Sequence, residues 1–542
     1  MTAHVGTRAG GHLVVESLQA LGARAAFGLP GVHALPIWEA LRESDIRTYG
    51  FRTELNAGFA AVGCAQVSGR PAPLLLSTGP GALNSLTALM EAASAHAPVV
   101  AIASQIPREL MGRGRGYLHE LPDQRASFAP IVKWTATATA AEQVPELIAE
   151  AWRRATTAPS GPTYVEVPTD VLSGATRLPR VSTLDGEPDT LPAPPDSALA
   201  EAARLLSSLP DPVIWAGAGV LRSGGWGALA ELANRLGAPV ATTYMGKGSF
   251  PADHPLAAGS ACDDRAFQEL LSRAGVILAV GTELGAETTG QYALKFSGKL
   301  VQVDAEKDRI GATYPALGLV GDARVVLEQL AARVTSRTRD GHGEERARSV
   351  RDRIEAGLEA QGGSLERQLL RTLRSVLPRD AVTAWDMTIL GYWAAAHFPA
   401  LEPRRFLYPL GSGTLGYAWP AALGAKAWLP DTTALAVVGD GGFQYGLAEL
   451  VSARQHGLGA KLLLIDDGGY GILREYQHDS YGAAFGVDLV QPDFEAIFAA
   501  CGIPALATTA DSIEADLAWA LDSPGPAAIV LHERLASNLP TP

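Results

Sequence analysis

Short runs of uninterrupted apolar residues punctuate this chain. Each closes in a turn rich in glycine or proline and leads into an amphipathic stretch. The clearest are ARAAFGLPG, APLLLSTGPG, PVVAIASQ, PTYVEVP, PVIWAGAG, VILAVGTEL, ALAVVGDGG and KLLLIDDGG. Strands of a parallel sheet read this way, because helices cover both faces and leave no solvent side to alternate with. Their alternation with helical stretches predicts repeated βα units and an α/β fold. Two segments break the pattern. Residues 181–196, VSTLDGEPDTLPAPPD, are rich in proline and acids, and residues 335–365 are highly charged. Both read as linkers, with RSVRDRIEAGLEA in the second predicted as a solvated helix. The expectation is three domains, each a mostly parallel sheet flanked by helices, over residues 1–180, 190–335 and 360–542.

Composition narrows the class. The chain has 542 residues, more than one hydrophobic core holds, and a net charge of −13. That acidic balance, with no long basic stripe, argues against a nucleic-acid binder. Cys64, Cys262 and Cys501 lie too far apart in sequence for a disulfide framework or a zinc site. No apolar run approaches the ~18 residues of a membrane helix. The opening residues MTAHVGTRAGG carry no signal-like pattern. A cytoplasmic protein with no membrane partner is expected.

The sharpest chemistry is Gly439-Asp440-Gly441-Gly442, directly after the strand ALAVV. A helical stretch, FQYGLAELVSARQHGLG, is predicted next, and then the strand KLLLI ends in Asp466-Asp467-Gly468-Gly469. Two acidic clusters thus sit at the carboxyl ends of two parallel strands, where open α/β sheets bind ligands. Mg²⁺ takes hard oxygen ligands, often one or two carboxylates plus phosphate oxygens. Glycines beside the acids let backbone N–H groups approach those phosphates. Either cluster alone reads as an acidic helix cap; the pair favours a metal and phosphate site.

These turns resemble the fingerprint of thiamine diphosphate (ThDP) enzymes, and residues 11–105 resemble the pyrimidine-binding domain of acetolactate synthases. The resemblance implies that Asp440, Asp467 and the Gly469 carbonyl hold Mg²⁺, although the family more often has Asn-Asn at Asp466-Asp467. It implies cofactor contacts from Gly439, Gly441, Gly442, Tyr470, Gly471 and Ile472, and from Thr78 in the STGPG turn. Glu54, opening the helical stretch ELNAGFAAVGCAQVSG after Thr53, becomes the acid that exchanges a proton with the aminopyrimidine. In GSGTLGYAWPAALGAK (411–426), Gly411 and Ser412 fall near the diphosphate, the Gly413 carbonyl accepts from the exocyclic amine, and Leu415 bends the cofactor. Thr388-Ile389-Leu390 stands where relatives often carry Gly-Gln-His.

Val32 and His33 in PGVHALP, His119 and Glu120 in GRGRGYLHELPDQ, and the segment GYGILREYQHD become candidates for substrate contact, with His33 and His119 as catalytic groups. The middle block resembles the domain that binds FAD in acetolactate synthases. VGTELGAETTGQYA replaces their Arg-Phe-Asp-Asp-Arg stretch, so FAD is not expected, and Gly217-x-Gly219 reads as structural. PGVH, GYLHELPDQ, GTLGYAWPAALGAK and GDGGFQYGLAEL together look like the 5-guanidino-2-oxopentanoate (2-oxoarginine) decarboxylase branch. The activity implied is decarboxylation of a small 2-oxo acid through a ylid and an enamine, with release of an aldehyde or transfer to a second carbonyl. An acetolactate synthase-type carboligase and a ThDP-fold binding protein without turnover are the alternatives. Family resemblance also implies a homodimer or homotetramer with sites between subunits.

Overall fold

A computed structural model describes residues 8–337, 340–362 and 364–537. All eight apolar runs form strands, and each strand is buried along nearly its whole length. The first sheet holds β1 (Ala25–Gly28), β2 (Arg47–Gly50), β3 (Ala72–Leu76), β4 (Val99–Gln105), β5 (Trp134–Thr137) and β6 (Thr163–Pro168), in the order β2-β1-β3-β4-β6-β5. The central sheet holds β7 (Pro212–Ala216), β8 (Val240–Thr242), β9 (Ala257–Gly259), β10 (Val276–Val280), β11 (Lys299–Asp304) and β12 (Leu317–Val320), in the order β12-β11-β10-β7-β8-β9. The third holds β13 (Val382–Trp385), β14 (Phe406–Leu407), β15 (Ala434–Gly439), β16 (Lys461–Ile465), β17 (Ala505–Thr508) and β18 (Ala527–Leu531), in the order β14-β13-β15-β16-β18-β17. Every strand pair is parallel, so helices cross over between them and cover both faces.

The first and third sheets share one strand order, a repeat that residue identities do not reveal. They also share one hydrophobic core. Its centre is the contact between helices Glu54–Ser68 and Ala418–Trp428, which are apolar on nearly every side. A Cβ on Gly63 would lie 2.2 Å from the Ala421 carbonyl oxygen, and one on Gly424 would lie 1.9 Å from that of Ala60. Only glycine permits that approach. The Tyr417 hydroxyl donates to Gln66 Oε1 at 2.5 Å, and the Tyr49 hydroxyl donates to the Ala427 carbonyl at 3.4 Å, so the helices meet in antiparallel order.

Two expectations need correction. FQYGLAELVSARQHGLG is two helices, Asp440–Phe443 and Glu449–His456, with turns between them. The break packs Gly446 near Trp419 and Pro420 and leaves the Tyr445 carbonyl free to accept from Asn56 Nδ2 at 3.1 Å. The charged segment contains the predicted helix, His342–Gln361, but it is not merely solvated. Ala347, Val350, Ile354 and Leu358 are buried in a core shared by the central and third sheets. The acidic stretch before Asp196 is irregular as expected. All three cysteines are free thiols, and no helix among the described residues is long and apolar enough to cross a membrane.

The helix contact yields a stability prediction. Gly424→Val forces side-chain atoms into the Ala60 carbonyl and is expected to destabilise the protein by ~3 kcal/mol or more. Gly227→Ala, whose Cβ meets nothing within 4 Å, should be neutral or stabilising by up to ~1 kcal/mol. Urea denaturation of both variants checks this; equal midpoints would remove the helix contact as the joint.

Candidate functional site

In the third sheet the chain runs from β13 outward to β14 and returns to β15 on the other side of β13. That reversal opens a crevice at the carboxyl ends of β13 and β15. Asp386 follows β13, Gly439–Gly442 closes β15, and Asp466–Gly469 closes β16, whose Ile465 pairs in register with Gly439. Several of the glycines expected there are required by close contacts. A Cβ on Gly441 would lie 2.6 Å from the Tyr470 ring and 3.5 Å from the Gly469 carbonyl oxygen. One on Gly442 would lie 2.8 Å from Asp386 Oδ2, one on Gly471 2.0 Å from Asp467 Oδ2, and one on Gly439 3.0 Å from the Thr388 hydroxyl oxygen. Ile389 also reaches Gly471, so the Thr388-Ile389-Leu390 segment borders the crevice.

Two carboxylate oxygens here, Asp440 Oδ2 and Asp467 Oδ1, are buried without a hydrogen-bond partner. Burial, then the charge of Asp467, pushes the Asp440 carboxyl up to about 7, against the N–H groups of Gly441 and Gly469. Burial raises Asp467 as well, while Arg474 at 3.9 Å opposes. Two carboxylates this costly to ionise call for a cation. Among the described residues no group of three or more His, Cys, Asp or Glu side chains is placed to hold a metal ion. A cation bound to both aspartates would take its further ligands from carbonyl, hydroxyl, phosphate or water oxygens, as Mg²⁺ often does.

The Gly411–Tyr417 loop is fixed by two acids that sequence reasoning missed. Asp386 Oδ1 accepts from the N–H groups of Tyr417 (2.9 Å) and Ala418 (3.3 Å), and Oδ2 accepts from that of Gly416 (3.3 Å). Burial still pushes this carboxyl up to about 6. Glu91 Oε2 accepts from the Ser412 N–H at 3.3 Å and from its hydroxyl. Ser412, expected near the diphosphate, is thus held by the first domain. Gly413 has φ +63° and stands exposed, with Leu415 partly exposed beside it.

In the first sheet the STGPG turn after β3 is the hub. A Cβ on Gly31 would fall 2.3 Å from the Ser77 hydroxyl oxygen, one on Gly79 2.7 Å from His119 Cβ, and one on Gly81 3.0 Å from Glu54 Oε1. One turn thereby gathers Glu54, His33 and His119. Glu54 is 7% exposed and accepts from Asn84 Nδ2 at 3.2 Å. Thr53 caps its helix by accepting from the Asn56 N–H at 3.2 Å. Glu449 reaches across from the third domain to accept from the Arg52 N–H at 3.1 Å and from Asn56 Nδ2 at 3.1 Å. The imidazoles of His33 and His119 lie 5.2 Å apart, and each has a buried Nδ1 without a partner. Burial first, and His119 second, lower the pKa of His33. His119 sits at φ +68°.

Glu120 folds back on its own loop, accepting from the Gly116 N–H at 2.7 Å and the Tyr117 N–H at 3.1 Å. Behind the hub, Gln124 Oε1 accepts from the Thr78 hydroxyl and the Gly79 N–H, both at 2.7 Å, and Gln124 Nε2 donates to Glu166 at 3.2 Å. The tail of LHELPDQ and the AWDM segment after a buried strand were the available signals for Gln124 and Asp386. Nothing local marked Glu91, Asn84, Glu166 or Glu449. Among the described residues, no hydrogen bond or ion pair joins Glu54 to Asp440 or Asp467.

Comparison with known proteins agrees with this geometry. Residues 8–127 match the family described as "Thiamine pyrophosphate enzyme, N-terminal TPP binding domain", residues 199–330 its central domain, and residues 386–531 its C-terminal TPP binding domain. A probable 2-ketoarginine decarboxylase of Pseudomonas aeruginosa is 38% identical over 451 residues, 83% of this chain and 80% of that protein. An acetolactate synthase of Mycobacterium bovis is 32% identical over 514 residues, 91% of this chain and 82% of that protein. The chloroplastic acetolactate synthase of Arabidopsis thaliana is 29% identical over 554 residues, 96% of this chain and 80% of that protein.

Glu91 generates a pH prediction. Burial pushes its carboxyl up to about 7 from an ordinary 4.5, with the Ser412 hydrogen bonds opposing. A raised carboxyl favours the folded state below its unfolded value, and that contribution is lost as pH rises through its folded value. Glu91→Gln keeps an acceptor for Ser412 and has no charge to bury. Its stability relative to the parent should therefore rise between pH 4.5 and 8, by roughly 3 kcal/mol at most. Urea denaturation across that range checks this. A constant difference would mean that Glu91 is not a buried acid with a raised pKa.

Proposed function

The chain belongs to the thiamine pyrophosphate (thiamine diphosphate) enzyme family, and on that premise we propose that it is a cytoplasmic, Mg²⁺-dependent decarboxylase of 5-guanidino-2-oxopentanoate or a closely similar 2-oxo acid. The observation that carries the reading is the crevice with two partnerless carboxylate oxygens, Asp440 Oδ2 and Asp467 Oδ1, at the carboxyl ends of two adjacent parallel strands, among glycines that let Asp386, Asp467 and Tyr470 pack close to the backbone. Asp440, Asp467 and the Gly469 carbonyl would hold Mg²⁺, and Gly441 and Gly442 would offer backbone N–H groups to the diphosphate. Gly413 and Leu415, on the loop anchored by Asp386 and Glu91, would receive the aminopyrimidine. When bound, thiamine diphosphate supplies a carbon nucleophile and then accepts the electron pair left by departing CO₂.

The chain's own groups hold and move protons. Glu54 is buried, fixed by Asn84 and placed at a helix N-terminus that Glu449 steadies, so it can keep or give one proton at the pyrimidine nitrogen. His33, kept neutral by burial, can accept a hydrogen bond or proton beside the substrate carbonyl, with His119 next to it. Val32 (62% exposed) and Leu118 (64% exposed) leave an apolar rim open around these histidines. Tyr476 and Phe485, on and after the helix that follows Tyr470, are exposed too. These surfaces support a homodimer whose partner completes the site. The central domain is read as structural, without FAD, because VGTELGAETTGQYA stands where acetolactate synthases carry an Arg-Phe-Asp-Asp-Arg stretch.

The acetolactate synthase relatives carry a second reading, in which a second carbonyl takes up the acyl unit. One experiment separates the two: a panel of 2-oxo acids with CO₂ release measured and products identified. The proposal expects CO₂ and the aldehyde one carbon shorter from 5-guanidino-2-oxopentanoate, and loss of both in Asp440→Ala. Acyloin from pyruvate with no turnover of the guanidino acid would overturn it in favour of the carboligase.

A separate prediction isolates Glu54. Glu54→Gln keeps the volume and a hydrogen bond but cannot cycle a proton. Hydrogen–deuterium exchange at C2 of bound thiamine diphosphate should slow by ~10²–10⁴ while the cofactor stays bound. Exchange as fast as in the parent would assign activation to another group.

A further inference from the structure

Between the central and third domains lies a cavity of about 520 Å³ that the chemistry above does not use. This is a usual size for a small-molecule site. Its border carries five basic side chains, Lys247, Arg351, Arg367, Arg371 and Arg374, against a single carboxylate, Glu355. That concentration stands out in a chain whose net charge is −13. Arg367 and Arg371 both pair with Glu355. Lys247, Arg351 and Arg374 have no ion-pair partner among the described residues. Lys247 is 5% exposed and donates to the Ser260 hydroxyl at 2.6 Å and the Ala395 carbonyl at 3.1 Å, both neutral acceptors. Burial pushes its ammonium down to about 7. Arg351 donates to the Ala257 carbonyl, and Arg374 donates to those of Leu377 (2.7 Å) and Pro378 (2.6 Å). The wall between these cations is apolar, built from Ile354, Leu358, Leu370 and Phe398, and the Arg374 guanidinium sits 5.5 Å over the Phe398 ring.

A buried cation without a counter-charge is costly, and an anion brought next to it recovers much of that cost. An apolar wall adds ~25 cal/mol for each Å² of carbon surface it covers. We propose that this cavity binds a small organic anion, a carboxylate or phosphate head group on an apolar body, with Lys247, Arg351 and Arg374 as its counter-charges. A guanidino acid is a poor occupant, because its own cation would face the same arginines. The site is therefore distinct in chemistry from the substrate crevice and does not depend on the substrate assigned above.

Octanoate, octanol and inorganic phosphate separate the elements of the proposal. Isothermal titration of the full-length protein loaded with thiamine diphosphate and Mg²⁺ should show octanoate binding to a single site per chain. Octanol and inorganic phosphate should each bind at least ~10-fold more weakly, a difference of about 1.4 kcal/mol. Octanoate affinity should fall with added salt. Lys247→Met and Arg351→Met should each weaken it by about tenfold or more. If Lys247→Met does not fold, Arg351→Met decides alone. Octanol or phosphate binding as tightly as octanoate, or octanoate affinity unchanged in the folded variants, would overturn the assignment.

Discussion

The backbone contact of two helices, with Gly63 set against Ala421 and Gly424 against Ala60, is the constraint on which the rest of this molecule depends. Helices usually pack 8–10 Å apart, and glycine at the crossing allows the closer end of that range or less. One of the two helices opens with Glu54, and the other begins where the Gly411–Tyr417 loop ends. Closing that gap merges the first and third sheets into one core. The same contact therefore secures the fold and sets the spacing between the acid-bearing helix and the glycine loop.

Buried acids do the second part of the work. Asp386, Glu91 and Glu449 are each withdrawn from water, and each takes backbone or side-chain donors from a segment that carries site residues. A buried carboxylate is tolerated only when donors replace the lost water. Once satisfied, it holds several N–H groups in one geometry. Glu91 Oε1, Asp440 Oδ2 and Asp467 Oδ1 are all buried without a donor. Asp440 and Asp467 differ from Glu91 in facing one another, so that the charge of Asp467 adds to the cost of ionising Asp440.

The first and third sheets share a strand order, and both gather their functional side chains where the chain reverses direction. Ligands of parallel sheets lie there because the loops diverge and leave a crevice. The STGPG turn and the Gly439–Gly442 turn occupy equivalent places in the two sheets. One collects a glutamate and two histidines, and the other collects two aspartates.

Much of this was legible in the chain itself. Continuous apolar runs ended by glycine identify buried parallel strands, because period and length are local properties. The acids at Asp440 and Asp467 could be paired from sequence, since one βαβ unit brings consecutive strand ends together. Glu54 was singled out by the resemblance of its segment to a pyrimidine-binding domain, with its place at a helix start in support. The break at Gly446, the packing of the His342–Gln361 helix, and the partnership of Glu91 with Ser412 were not legible. Each depends on segments far apart in sequence, and a charged or glycine-bearing helix looks the same whether or not a neighbour covers it. Local chemistry, written in adjacent residues, determined the strands, the turns and the candidate acids. Only the tertiary structure decided which acids are desolvated and which donors reach them, because desolvation is set by what packs around a group rather than by what precedes it.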